Sequence, residues 1–174
     1  MGKVIVAPEY VNAFGRFVFL SGPIIGAPNW QREAVVMIHS YDDSIVIAAP
    51  CRDTLVDQER KPLEGDAYYE QMKWEQKYLE IARKRGVTLF WCAKEIQHFC
   101  HRDYGQKTCV ELGEALAYHK SQGSRFVVGY EEGFCGTRYI RERVDCGDSY
   151  YGPICCATLE ETVLAAIGLL PAKV

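Results

Sequence analysis

Short apolar runs alternate with amphipathic segments along most of the chain. Four runs are of the length and composition typical of buried strands: residues 16–22, 44–50, 87–92 and 125–130. A fifth, shorter run at 153–157 predicts one more short strand. Strands that alternate with helices predict a parallel sheet with helices on both faces. The pattern therefore indicates an α/β fold with about five strands.

Helical spacing of apolar residues appears between these runs. The segment after residue 29 has Asn29 as its predicted N-cap, and residues 67–86 form a longer amphipathic helix with Met72, Leu79 and Ala82 facing inward. Further helices are predicted from Thr108, over 138–144, and after Thr158. The polar stretches 51–66 and 93–107 are predicted loops that follow the second and third strands.

The length and the absence of repeats predict one domain over residues 1–174, with residues 1–15 as an N-terminal extension. The formal net charge is -3, from 20 basic and 23 acidic side chains, so no broad cationic surface is expected for a nucleic acid polymer or an anionic membrane. The first residues lack the continuous apolar core of a signal peptide. We therefore expect a cytoplasmic protein whose eight cysteines are mostly reduced.

Glu111 admits two interpretations. Thr108 and Glu111 have the S/T-x-x-E spacing of a capping box, in which both side chains bond backbone N–H groups at a helix start. In a parallel α/β sheet, however, ligands bind outside the carboxyl ends of the strands, and three predicted strand ends lead to the loops around Glu111. A carboxylate at that place is also a candidate nucleophile.

Several segments, in order, resemble one family. They are "FLSGPI" at 19–24, a tryptophan at 30, "APCR" at 49–52, "WE" at 74–75, "LFW" at 89–91, "TCVELG" at 108–113 and "TLEETV" at 158–163. Together they resemble the nucleoside 2-deoxyribosyltransferase-like proteins, most closely the branch with an F-x-x-G-P-I opening. The similarity extends over nearly the whole domain.

The resemblance implies a flavodoxin-like three-layer sandwich that cleaves the N-glycosidic bond of a nucleoside or nucleotide. In the family the glutamate of the E-L-G segment is the nucleophile, which corresponds to Glu111, and the loop that here contains Gly22 and Pro23 lines the sugar pocket. The resemblance further implies no cofactor and a homo-oligomer. Its partners are small molecules, namely a nucleoside or nucleotide and a free base.

The chain departs from the family pattern at two places. Many members carry a tyrosine in the first motif, where this chain has Phe19, which would still border the substrate but has no hydroxyl group. Many also carry an aspartate shortly before the third strand, which is missing from "ARKRGVTLFW". Glu75 and Asp103 are the candidates to replace it in contacting the base.

The remaining candidate residues each have a simpler interpretation. Asp103 is a candidate proton donor or sugar-hydroxyl ligand, or else a solvated loop acid. Arg52 and Asp53 are candidates for binding a ribose hydroxyl or a 5'-phosphate, whereas a surface ion pair is the alternative for Arg52. Trp30 and Trp91 offer flat surfaces for a base, although tryptophans beside strands are more often part of the core.

A metal site is also weighed in the segment "HFCH", which contains His98, Cys100 and His101. Its spacing matches neither C-x-x-C nor H-x-x-x-H, so no metal is predicted. The leading hypothesis is transfer of deoxyribose between bases through a covalent glycosyl-Glu111 intermediate. The alternatives are hydrolysis of a nucleoside or nucleoside 5'-monophosphate, and a nucleotide-binding sensor without turnover.

Overall fold

The computed structural model describes residues 2–12, 15–52, 63–144 and 154–172. Six strands and five helices are found in these residues. The strands are β1 (Val4–Val6), β2 (Phe17–Ser21), β3 (Val46–Ala49), β4 (Val87–Cys92), β5 (Phe126–Tyr130) and β6 (Ile154–Cys156). The helices are α1 (Trp30–Tyr41), α2 (Gly65–Arg85), α3 (Gln106–Gln122), α4 (Thr137–Val144) and α5 (Leu159–Leu169).

All six strands are parallel and form one sheet in the order β1-β3-β2-β4-β5-β6. Without β1, the remaining order β3-β2-β4-β5-β6 is the strand order of flavodoxin-like folds. The predicted fold class is confirmed. The sixth strand, β1, belongs to the segment that the sequence analysis treated as an extension. It pairs with the edge of β3, with Val4 opposite Ile47. Three residues are too few for a periodic signal, so only the available sheet edge decides this pairing.

Helices cover both faces of the sheet because alternate strand residues point to opposite sides. Leu20 and Leu89 point toward the layer of α1 and α5, where they join one apolar cluster. Phe19 packs in a second cluster with residues of α2, and Phe90 packs in a third with residues of α3 and α4. The outcome is a three-layer α/β sandwich with the sheet in the middle.

The buried face of α2 agrees with the prediction at Ala82, which is fully buried, and differs from it at two other positions. Trp74 and Tyr78 are fully buried, whereas Met72 and Leu79, which were predicted to face inward, are only partly buried. The aromatic rings of Phe17 and Phe19 on β2 lie opposite, within 6.1 Å of Tyr78 and 6.2 Å of Trp74 between ring centroids. Aromatic packing against the sheet therefore sets the rotation of α2. This rotation also turns Glu75 inward.

No helix in the described ranges combines the length and the apolar composition required to cross a membrane.

Candidate active site

A cavity of about 580 Å³ opens at the carboxyl ends of β2, β3 and β4. Its walls come from the loop after β2, the residues directly after β3, the first half of α2, the end of the loop after β4 and the start of α3. This is where parallel α/β sheets bind ligands, and the volume suits a small organic molecule. The predicted convergence of three strand ends is therefore observed.

Close packing fixes the loops that form the cavity. A Cβ atom at Gly22 would collide with the backbone oxygen of Trp91 and the ring of Trp30, so only glycine fits there. Gly26 accepts hydrogen bonds from the backbone N–H groups of Ile96 and Gln97 at 2.8 and 3.2 Å. These two bonds tie the loop after β2 to the loop after β4. The cavity walls are thus joined before any ligand binds.

Glu111 lies on the cavity wall and contacts β2. Ser21, the last residue of β2, donates a hydrogen bond from Oγ to Oε2 of Glu111 at 2.5 Å. The capping-box interpretation of Glu111 is wrong, because α3 begins at Gln106, with Gly105 as its N-cap in the left-handed region. Thr108 is consequently inside the helix and buried. The carboxyl group of Glu111 is left to point into the cavity.

The surroundings of Glu111 favour its protonated form more than water does. Burial raises its pKa to about 7, and the neighbouring carboxylates of Glu75 and Glu114 act in the same direction. The Ser21 hydrogen bond and the charge of Lys107 oppose this rise. A carboxyl group with a pKa near 7 is present in both forms at neutral pH, as expected of groups that react or transfer protons.

Glu75 belongs to a polar network at the cavity floor. It is 7% exposed, and Lys107 donates a hydrogen bond from Nζ to its Oε2 at 2.8 Å. Gln71 donates from Nε2 to Oε1 of Glu75 at 3.0 Å and to the backbone oxygen of Pro50 at 2.7 Å. Burial lowers the pKa of Lys107, but the charge and hydrogen bond of Glu75, together with the charges of Glu111 and Tyr68, outweigh it, so the net shift is upward. The buried carboxylate is therefore ion-paired.

Tyr68 supplies an aromatic wall that the sequence analysis missed. It lies in the first turns of α2, lines the cavity and remains 41% exposed. The Nζ atom of Lys107 is 5.9 Å from the centroid of its ring. The available signal was helical spacing, since Tyr68 precedes Glu75 by seven residues, which places both on the same face of α2. A flat, half-open ring of this kind is suited to stacking on a base.

The cationic candidate Arg52 lines the cavity and is held by α2. It donates from Nε to Gln71 Oε1 at 3.1 Å and from Nη2 to Glu70 Oε2 at 3.2 Å. Arg52 thus lines the cavity, as a substrate-binding residue would, and also forms the ion pair that was its alternative interpretation. Asp103 lines the same cavity and is exposed, whereas Asp53 lies outside the described residues.

Three predicted substrate contacts are corrected. Trp30 is 2% exposed, and its Nε1 donates a hydrogen bond to the backbone oxygen of Pro23 at 2.7 Å, so it supports the Gly22-Pro23 loop from behind. Trp91 is buried in the cluster on the side of α1 and α5. Phe19 is fully buried against Trp74. None of the three lines the cavity, because each side chain is used for core packing.

Within the described ranges, no three His, Cys, Asp or Glu side chains lie close enough together to hold a metal ion. His98, from the segment considered for zinc, is exposed and contacts the carboxylate of Glu95 at 3.1 Å.

Comparison with models of known protein families gives no match, and comparison with curated proteins gives no similar sequence.

Proposed function

We propose that this protein is a nucleoside 2-deoxyribosyltransferase in which Glu111 attacks C1' of a 2'-deoxynucleoside. The observation that carries the proposal is the placement of Glu111. It faces a ligand-sized cavity at the carboxyl ends of parallel strands and is held by Ser21 rather than by a helix cap. A structural carboxylate at a helix start would instead bond backbone N–H groups.

The chemistry follows from the character of the bond that is broken. Cleavage of the C1'–N bond passes through a cation-like sugar, which a carboxylate beneath the ring stabilises and then traps as a glycosyl ester. The ionised fraction of Glu111 performs this attack. A second base then takes the sugar from the ester, which regenerates the carboxylate. Gly22 and Pro23 border the cavity beside Ser21, where they are placed to contact the sugar.

The second candidate is hydrolysis of a nucleoside 5'-monophosphate by the same nucleophile. It is favoured by the guanidinium groups of Arg52 and Arg102, both of which belong to residues that line the cavity. Guanidinium groups bind phosphate oxygens through paired hydrogen bonds. In this reaction water, instead of a base, attacks the glycosyl ester.

We further propose that the protein acts as a homo-oligomer in the cytoplasm. His101, Arg102 and Asp103 are exposed at the rim of the cavity, where a neighbouring chain would shield the glycosyl ester from water. Light scattering at several protein concentrations measures the oligomeric state. A monomer at all concentrations would contradict this part of the proposal.

The test of function is an exchange assay. The protein is incubated with deoxyadenosine and free cytosine, and separately with deoxynucleoside 5'-monophosphates, and the products are separated by chromatography. New deoxycytidine is expected for the transferase, whereas free base and sugar without exchange would establish the hydrolase. Saturable nucleoside binding without turnover would contradict both and indicate a sensor. Glu111→Gln, assayed in parallel, controls for contaminating enzymes.

A further inference from the structure

Lys107 has no role in the mechanism described so far, although it lines the cavity. It precedes Glu111 by one helical turn, so the two side chains lie on the same face of α3. Its side chain is 54% exposed, whereas the side chain of its partner Glu75 is 9% exposed. More than half of the Lys107 side chain is thus accessible from the cavity side, while Glu75, which holds its ammonium group, is buried.

The ammonium group of Lys107 lies near both the carboxylate of Glu75 and the ring of Tyr68. It is 2.8 Å from Oε2 of Glu75 and 5.9 Å from the centroid of the Tyr68 ring. Its charge also acts on the carboxyl group of Glu111. An ammonium group has three N–H donors, and the bond to Glu75 uses one of them. A base stacked on Tyr68 would consequently lie next to the N–H donors of Lys107.

The leaving base has an acceptor at the corresponding position. When the C1'–N bond breaks, its electron pair enters the base ring and increases the negative charge on nearby acceptor atoms. Adenine has N3 and thymine has O2 on the edge next to the glycosidic nitrogen, which is the edge read in the minor groove of DNA. One donor at this edge can therefore serve both purines and pyrimidines.

We propose that Lys107 donates a hydrogen bond to purine N3 or pyrimidine O2 as the base leaves, while the ring of Tyr68 stacks on the face of the base. This inference rests on the proposed function and deepens it, because it defines the substrates as N-glycosides with an acceptor beside the glycosidic nitrogen. In the step, a Glu111 oxygen forms a bond to C1' and the C1'–N bond breaks. The electron pair goes to the base, which takes a proton from water after release.

The test compares deoxyadenosine with 3-deaza-2'-deoxyadenosine, in which a C–H group replaces the N3 acceptor. The kcat/KM of both nucleosides is measured for the unsubstituted protein and for Lys107→Met. We expect the substitution to lower kcat/KM for deoxyadenosine by about ten- to hundredfold, the range for a hydrogen bond to a charged group. Both nucleosides are measured at pH 9, where Glu111, with a pKa of about 7, is ionised with or without the charge of Lys107. The value for the 3-deaza nucleoside should change by less than about threefold, because it lacks the acceptor that the bond requires.

Three further variants separate this role from a structural one. Glu75→Gln removes the ion pair but keeps the ammonium group, so the preference for deoxyadenosine over the 3-deaza nucleoside should persist whatever the absolute rates. Lys107→Arg should restore part of that preference. Lys73→Met removes an exposed positive charge from α2 and should leave both rates unchanged.

Equal losses of kcat/KM for the two nucleosides in Lys107→Met would overturn the inference, and Lys107 would then only tie α3 to α2. If that variant does not fold, as judged by circular dichroism, Lys107→Leu, which also has no side-chain donor, provides the same comparison. Absence of turnover of any nucleoside or nucleotide by the unsubstituted protein would contradict the proposed function itself. The two failures are thus distinguishable.

Discussion

Two segments of this chain share the spacing Thr-x-x-Glu at the start of a helix, yet their glutamates do different things. At α5, Thr158 Oγ1 accepts a hydrogen bond from the Glu161 backbone at 3.1 Å, and Glu161 Oε2 accepts one from the Thr158 backbone at 3.1 Å. This is a complete capping box. At α3 the corresponding carboxylate of Glu111 bonds the hydroxyl of Ser21 on a neighbouring strand.

The difference comes from where each helix begins. Glu161 is the third residue of α5, where its side chain reaches back to the N-cap. Glu111 is the sixth residue of α3, because Gly105 adopts a left-handed conformation and starts the helix earlier. A Cβ atom at Gly105 would also lie 2.8 Å from the Phe134 ring. The Thr-x-x-Glu spacing alone therefore does not make a cap. The residues before the motif set where the helix starts, and so which backbone N–H groups have no partner within the helix.

The largest expected effect is on turnover at α3. Glu111→Gln removes the proposed nucleophile and should lower kcat by at least about a thousandfold, the scale seen when a single catalytic group is lost. Glu161→Gln should keep the full rate, because glutamine also fits a capping box. Both rates are measured as base release from deoxyadenosine. Comparable activity of the two variants would mean that Glu111 is not the nucleophile.

The next effect is on pH dependence. The pKa of Glu111 lies near 7, and attack requires the ionised form, so kcat/KM should rise about tenfold per pH unit below 7 and level off above it. Ser21→Ala removes a bond that lowers this pKa and should move the midpoint to higher pH. The profile is recorded from pH 5 to 9. A midpoint near 4.5 in the unsubstituted protein would show that burial does not control the reacting carboxylate.

A third effect concerns stability at α3. The pKa of Glu111 is higher in the folded protein than its ordinary value of 4.5, so the folded state gains stability when the group is protonated. The free energy of unfolding should therefore fall as pH rises from about 4.5 to 7. Glu111→Gln avoids this loss and should be more stable at pH 8, on the order of 1–3 kcal/mol, with a smaller gain at pH 5.

Urea unfolding at the two pH values measures this gain, and Glu161→Gln, at a glutamate that does not line the cavity, is measured in parallel for comparison. A destabilised Glu111→Gln protein at pH 8 would contradict the inferred environment of Glu111.

The smallest effect is expected at α5. Thr158→Ala removes the hydroxyl acceptor of the capping box and should lower the free energy of unfolding by about 1 kcal/mol. Turnover should not change, because Thr158 does not line the cavity. Urea unfolding and the base-release assay are run on the same sample. A loss of activity without a loss of stability would contradict this prediction and would indicate that α5 contributes to the reaction.

Much of the fold is local in origin and could be predicted. The strand at 87–92 was predicted with the bounds that the structure shows, since a continuous apolar run can only be buried. The capping box of Thr158 and Glu161 was also expected, because both partners lie within one turn. The edge strand β1 was missed, since its stability depends on pairing with β3, which is distant in sequence.

The site, too, has features that could be predicted from the sequence and features that depend on tertiary packing. The order of strands and loops in the sequence was sufficient to predict that residues after β2, β3 and β4 meet, and Gly22, Pro23, Arg52, Glu75, Asp103 and Glu111 do line one cavity. Only the tertiary structure decided which aromatic rings face that cavity. Trp30 and Trp91 pack into the core while Tyr68 remains open, because the rotation of each element is set by the sheet against which it packs.

The sequence by itself determined the alternation of strands and helices, the end of the sheet at which the cavity opens and the presence of a carboxylate there. The tertiary structure decided what that carboxylate contacts. Ser21 is 90 residues from Glu111 along the chain, and their hydrogen bond exists because β2 and α3 meet at the carboxyl end of the sheet. Burial, charge and hydrogen bonding at this point depend on distant segments, and these three factors separate Glu111 from Glu161.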